Sequence, residues 1–234
     1  MTWIKICGIT NLEDAQVAVD AGADAVGFVF YDKSPRYIAA NEVAEIEQAL
    51  PKKIERVGVF VRPREEDFVN NVRTARLNAV QWHLPVNETS LDSPVTIAGV
   101  TKRFRLYLSL PVTFFLESED RWRNLVTTFQ SAARNGTNLP FHTIFLDSGT
   151  AQQPGGTGKT FDWYRAAPLV EAMQRTMKVV IAGGLTDENV TEAIHLLHPW
   201  GVDVSSGVEA TPGKKDPQKV REFVQAVRQT ECHK

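Results

Sequence analysis

The sequence predicts an α/β protein, a single-domain (β/α)8 barrel of the TIM-barrel type. Three observations predict it. Short apolar runs alternate with segments of helical period along the chain, and such alternation calls for a parallel sheet. About eight strand–helix units fit into the 234 residues, the number that closes a barrel. No linker or shift in composition marks a second domain. A doubly wound open sheet is the competing architecture, but it normally has fewer repeats.

The first strand, 3–7, stops at Gly8. Trp3, Lys5 and Cys7 share one side and Ile4 and Ile6 the other, because strand side chains alternate. A lysine and a thiol on one face of a buried strand turn that face toward a site and the isoleucines toward helices. Residues 12–21 are helical, with Leu12, Ala15 and Val19 on one face and Gly22 as the stop. Residues 25–30 form a buried strand and 31–37 a polar loop. A helix over 41–50 capped by Asn41, a strand over 56–61 and a helix over 64–75 follow. The strand 79–83 ends at His83, before a proline-marked stop.

Residues 87–113 are poorly legible: a loop and short helix to about 101, then a strand over 104–110. Periodicity returns in a helix over 120–134 and a strand over 143–147 that closes on Asp147. A Gly/Gln/Pro loop over 148–159 precedes a helix capped by Asp162. Then come a strand over 178–182, the turn Gly183-Gly184, a helix over 187–197 and a strand over 201–204. Asp216 caps the last helix, with Pro217 at its first position, where a missing N–H costs nothing. Residues 230–234 are a short polar tail.

Composition narrows the function classes. A hydrophobic fraction of 43% supports a sizeable core, and a net charge of −2 gives no electrostatic case for nucleic acid or an anionic membrane surface. No apolar run is long enough to span a bilayer. Two cysteines, Cys7 and Cys232, near opposite ends, argue against a disulfide-built secreted fold. The N-terminus enters the first strand with no basic segment followed by an apolar stretch, which predicts no signal peptide. The expectation is a cytoplasmic protein without nucleic-acid or membrane partners, acting as a monomer or homodimer.

Chemistry in such a barrel collects where strands end. Cys7, His83, Asp147 and Asp203 each stand at or near a strand end and alternate with apolar neighbours, so all four face the barrel axis. Taken singly, a buried cysteine is a small core hydrophobe and a polar residue closing a strand is a water boundary. Four with one parity point to a site, with Lys5 as a further lining residue. Glycine turns after the last two strands, Gly183-Gly184 and Ser206-Gly207, suit phosphate, because the backbone N–H groups can approach it. Ser34-Pro35-Arg36 offers an arginine fork that fits a planar carboxylate, although a solvated arginine has the same composition.

Gly158-Lys159-Thr160 mimics the end of a nucleotide-binding loop, but that motif needs glycine five places before Gly158, where Gln153 stands. The dinucleotide pattern fails too, since Phe161 replaces its last glycine. The loop reads as a lid carrying Gly156 and Thr157 over the barrel mouth, or as a structural loop. No His/Cys cluster has zinc spacing.

Six segments together resemble one known family. They are Lys5-Ile-Cys-Gly-Ile-Thr10, Gly22-Ala-Asp-Ala-Val-Gly-Phe-Val-Phe30, Lys33-Ser-Pro-Arg-Tyr37, Gly155-Gly-Thr-Gly-Lys-Thr-Phe-Asp-Trp163, Ala182-Gly-Gly-Leu185 and Asp203-Val-Ser-Ser-Gly-Val-Glu209. The chain resembles phosphoribosylanthranilate isomerase over nearly its whole length, with these segments in the family's order. The resemblance implies an Amadori rearrangement of N-(5-phosphoribosyl)anthranilate to 1-(2-carboxyphenylamino)-1-deoxyribulose 5-phosphate in tryptophan biosynthesis, with no metal or cofactor. It implies Cys7 as general base, Asp147 as general acid, Arg36 on the anthranilate carboxylate, and Gly183, Gly184, Ser206 and Gly207 on the phosphate. Rival readings are another phosphosugar barrel enzyme, such as an epimerase or an indole-glycerol-phosphate synthase, and a non-catalytic sensor of a phosphorylated ligand.

Overall fold

The computed structural model describes residues 1–83, 104–135, 141–149 and 158–231. Eight parallel strands close into one barrel. They are β1 (Trp3–Cys7), β2 (Ala25–Val29), β3 (Glu55–Val61), β4 (Ala79–His83), β5 (Arg105–Pro111), β6 (Phe141–Asp147), β7 (Lys178–Ala182) and β8 (Gly201–Val204). β1 closes the ring by pairing with both β2 and β8, which sets Lys5 beside Ala25 and Asp203. Around the ring lie α1 (Leu12–Ala21), α2 (Ala40–Ala49), α3 (Glu65–Thr74), α4 (Val112–Leu116), α5 (Glu119–Arg134), α6 (Trp163–Gln174), α7 (Val190–Leu197) and α8 (Pro217–Gln229). No helix among the described residues is long and apolar enough to cross a membrane.

Side-chain alternation divides the core in two. Ile4, Ile6, Phe28, Leu108, Ile144 and Val202 are fully buried between sheet and helices. Inside the ring, toward the amino ends of the strands, Ala25, Val57, Ala79, Tyr107, Phe145 and Val180 form a separate cluster. Trp3 stacks on Trp200 at 5.2 Å and meets Tyr107 and Phe145 edge-on, both at 6.0 Å. The barrel interior is thus plugged at that end, as packed barrels are.

Local signals start and stop the helices. Asn11 Oδ1 accepts the Asp14 N–H at 2.8 Å to open α1, and Gly22 closes it at φ 95°. Leu12 corrects the expected apolar face: it is 43% exposed, and α1 buries Asp14, Ala15 and Ala18 instead. The small alanines let the helix lie close to the barrel, and Asp14 is used, accepting the Lys215 N–H at 2.8 Å. Asn41 falls inside α2, whose first turn is held by Glu42 accepting the Ala39 N–H at 3.0 Å. Asp162 and Asp216 cap α6 and α8, with Pro217 at the first position of α8.

Two elements carry no sequence signal strong enough to read. The five residues of α4 are too few to show a period. After a 3-10 turn over Ser206–Val208, the chain makes a small antiparallel hairpin, β9 (Glu209–Thr211) and β10 (Lys214–Lys215), turning at Gly213 with φ 84°. Residues 187–189 form a turn rather than helix, because Asn189 Oδ1 accepts the Thr186 N–H at 2.9 Å. The loop and short helix expected over 87–101 lie outside the described residues. Thr230 is buried and Glu231 accepts the Thr2 N–H, so the start of the polar tail is tied to the start of the chain.

Candidate active site

Cys7, His83 and Asp147 are the last residues of β1, β4 and β6, and Asp203 is one residue short of the end of β8. All four line a single cavity of about 530 Å³ at the carboxyl end of the barrel. Their strand neighbours Ile6, Trp82, Leu146, Val202 and Val204 pack outward under the helices. Arg36, Gly183, Gly184, Ser206 and Gly207 line the same cavity. Lys5 lies one pleat deeper, is fully buried, and forms the floor rather than the wall. Gly156 and Thr157 lie outside the described residues.

The floor is an ion pair. Lys5 Nζ donates to Asp203 Oδ1 at 2.8 Å and sits 5.3 Å from the Phe145 ring centroid. Burial works to lower the Lys5 pKa, but the negative charge of Asp203 and the proximity of Cys7 prevail and raise it. Gly27, beside Cys7 in the sheet, makes the room: a Cβ there would stand 2.8 Å from Cys7 Sγ and 2.8 Å from Lys5 Cε. Cys7 is a free, buried thiol. Burial pushes its pKa up despite the Lys5 ammonium, which favours the thiolate.

Asp147 is tuned in the same sense. Burial pushes its pKa to about 6, opposed by the Gly149 N–H that it accepts at 2.8 Å, while the charge of Asp203 adds to the rise. A carboxyl with that pKa holds or releases a proton close to neutrality. The wall also carries Gln81 and His83, whose Nε2 atoms lie 3.2 Å apart. Among the described residues, the buried Gln81 Oε1, Ser109 Oγ and Ser205 Oγ have no hydrogen-bond partner. Beside Cys7, Val29 and Val59 with Tyr31 make an apolar patch.

The two glycine turns meet at the rim. Gly183 and Gly184 take φ 85° and 67°, left-handed values that disfavour a side chain. A Cβ on Gly207 would run into the carbonyl oxygen of Leu185, so the loops after β7 and β8 touch through backbone. Among the described residues, no backbone carbonyl accepts from the N–H groups of Gly184, Ser206 or Gly207. Three unspent donors at a cavity rim can take an oxyanion.

Arg36 has a partner that sequence reading did not assign. Its Nε and Nη2 donate to Glu209 Oε1 and Oε2 at 2.8 and 2.7 Å. Glu209 lies on β9 and also accepts from Lys215 Nζ at 2.9 Å. Sequence reasoning gave no role to Gln81, Glu209 or Lys215. Gln81 shares the inward parity of His83 on one strand, a signal that was available. Glu209 and Lys215 belong to the hairpin, which has no periodic signature. Among the described residues, no group of three His, Cys, Asp or Glu could hold a metal ion.

Known proteins resemble this chain in sequence and fold. The N-(5'-phosphoribosyl)anthranilate isomerase of Pelobacter propionicus is 40% identical over 230 residues, 98% of this chain and 97% of that one. A crystal structure of phosphoribosyl anthranilate isomerase in complex with reduced 1-(o-carboxyphenylamino)-1-deoxyribulose 5-phosphate is 37% identical with a TM-score of 0.77, covering 98% of this chain and 100% of that one. A structure of monomers of the dimeric isomerase from Thermotoga maritima is 35% identical with a TM-score of 0.74 over the same shares. Residues 4–226 match the family model of N-(5'-phosphoribosyl)anthranilate (PRA) isomerase, and the chain belongs to that family.

Proposed function

We propose that Cys7 and Asp147 are the base and acid of the family's Amadori rearrangement, with N-(5'-phosphoribosyl)anthranilate bound across the cavity between them. One observation carries the assignment. A thiol and a carboxyl tuned to about 6 open onto the same cavity as an arginine and three N–H groups that no backbone carbonyl among the described residues accepts.

The chemistry follows from those groups. Opening the furanose requires a proton on the ring oxygen, and Asp147 donates it. Its raised pKa keeps a usable fraction protonated near neutrality, where an ordinary carboxyl would be ionised. The bond from C1 to the ring oxygen breaks, and the nitrogen lone pair forms an iminium with C1. That makes the proton on C2 acidic, and the Cys7 thiolate removes it. The C–H electrons form the C1–C2 double bond of an enolamine, which tautomerises to the ketone. C2 is oxidised and C1 reduced within one molecule, so the step requires no external redox partner. Lys5 favours the thiolate when it forms, and Asp203 holds Lys5 in place.

Binding uses the two ends of the cavity. The N–H groups of Gly184, Ser206 and Gly207 take the phosphate. Arg36 takes the anthranilate carboxylate with the Nη edge that Glu209 leaves free. His83 and Gln81 line the sugar between them. The low net charge suits a cytoplasmic enzyme of small molecules. Mixing purified protein with the substrate is expected to extinguish the anthranilate fluorescence, and Cys7→Ala to slow that decay by ~10²–10⁴-fold. An unslowed Cys7→Ala enzyme rejects the base assignment.

A further inference from the structure

We propose that Glu209 is a positioning residue for this reaction. It fixes the Arg36 guanidinium so that only its outer Nη1–Nη2 edge meets the substrate, and thereby sets the selectivity for a carboxylate on the aryl ring. The inference rests on the proposed role of Arg36 and adds how that role is made selective.

The observations are independent of any ligand. A guanidinium has two edges that can bind a carboxylate through paired N–H groups. Glu209 takes one of them, the Nε–Nη2 edge, with both of its oxygens. The Arg36 stem is confined as well. It lies across Gly8, where a Cβ would stand 2.6 Å from Arg36 Cδ, and Gly8 holds φ 76°. The hairpin turn confines the neighbouring backbone. A Cβ on Gly213 would stand 2.8 Å from the Pro35 carbonyl oxygen.

Glu209 is itself anchored from several sides. Its Oε1 also accepts from Lys215 Nζ at 2.9 Å and from the Gly213 N–H at 3.3 Å, and its backbone carbonyl accepts from Lys219 Nζ at 3.1 Å. Lys215 is almost fully buried, and its Nζ donates as well to the Ser205 carbonyl at 3.2 Å. One ammonium therefore ties the arginine clamp to the loop that carries Ser206. Against the upward push of burial, the Arg36 and Lys215 charges hold the Glu209 carboxyl below its ordinary pKa, so the clamp stays ionised at neutral pH. Of these three charged groups only Arg36 lines the cavity, so the clamp presents its guanidinium there. A freely rotating arginine would present either edge, and an ortho carboxylate on a rigid ring can match only one pose well. Holding the fork still removes the entropy cost of choosing it.

The test compares two ligands by calorimetry. One is reduced 1-(o-carboxyphenylamino)-1-deoxyribulose 5-phosphate, and the other is its phenylamino counterpart without the carboxyl. The unmodified protein is expected to prefer the first, and Arg36→Ala to abolish that preference. Glu209→Gln is expected to cut the preference by about tenfold, the scale of one charged hydrogen bond. It should leave affinity for the second ligand within about twofold.

Equal weakening of both ligands by Glu209→Gln overturns the proposal, because that is what a merely structural residue would do. So does an unchanged preference, provided Arg36→Ala abolishes it. If Arg36→Ala keeps the preference, the Arg36 reading itself falls. Should Glu209→Gln fail to fold, Glu209→Asp, which keeps the charge on a shorter stem, is expected to show a smaller cut in the same ratio. Failure of both to fold makes Glu209 structural and overturns the inference.

Discussion

The two ends of the barrel are built from the same strands with the same inward parity, yet they obey opposite rules. At the amino end the inward side chains are Ala25, Val57, Ala79, Tyr107, Phe145 and Val180, packed on Trp3 and Trp200. The buried Glu55 there is satisfied, taking the Tyr107 hydroxyl at 2.7 Å and Arg105 Nη1 at 2.8 Å. At the carboxyl end the inward polar side chains are Lys5, Cys7, Gln81, His83, Ser109, Asp147 and Asp203. Among the described residues Gln81 Oε1 and Ser109 Oγ lack partners, and Asp147 is held at a pKa of about 6. At the amino end the inward carboxylate of Glu55 is paired. The other end keeps unmet polar groups and a mistuned carboxyl, which is a cost in stability that chemistry uses.

Breaking this contrast should separate activity from stability. The largest effect is expected from Asp147→Asn, which removes the proposed acid while keeping an acceptor for the Gly149 N–H. Turnover should fall by ~100-fold or more in the fluorescence assay. Stability should move the other way. The folded pKa of Asp147 is about 6, above its ordinary value of 3.8, so the folded state binds more protons between those values. Stability is therefore lost as pH rises through that window, and the loss is complete at pH 7. Asparagine escapes it, and the variant should be about 1–3 kcal/mol more stable at pH 7. The gap in melting temperature should close as the pH falls from 6 toward 4. A destabilised variant at pH 7 would contradict this account of the site.

The same two groups fix the pH profile. Under the proposed assignment the reaction needs Asp147 protonated and Cys7 ionised, although Asp147 is the more acidic of the two. The productive form is then a minority state whose share is constant between the two pKa values. The ratio kcat/KM should rise to about pH 6, run flat, and fall only above the raised thiol pKa. A maximum at pH 6 with a decline already at pH 7 would not fit.

Gly27→Ala sharpens the comparison at the floor. The added methyl would press on Cys7 Sγ and Lys5 Cε, and displacing the proposed base should lower kcat by ~10–100-fold. Overpacking should cost about 1–3 kcal/mol in denaturant titrations. The smallest effect on turnover is expected at the other end. Tyr107→Phe removes a donor from buried Glu55, so stability should drop by about 1–3 kcal/mol with kcat nearly unchanged. A tenfold loss of kcat there would show that the two ends are not separable.

Much of this was legible before folding. The alternation of strand and helix signals gave the barrel, and the parity of Cys7, His83, Asp147 and Asp203 placed them on the inward face. Caps with a side-chain oxygen followed by a helix, such as Asp162 and Asp216, were readable as well. The short α4 and the β9–β10 hairpin were not, because neither is long enough to show a period. Leu12 was assigned to a buried face on spacing alone, and the first turn of α1 leaves it in solvent.

What the sequence determined by itself is therefore the kind of local element and the direction each side chain takes from it. Backbone geometry imposes both within a few residues, so they survive in a linear text. Only the closed ring decided the pairings. Lys5 meets Asp203 across 198 positions and Arg36 meets Glu209 across 173. Such partners are chosen by which strands become neighbours and how deeply a charge is buried, and no period in the chain encodes either.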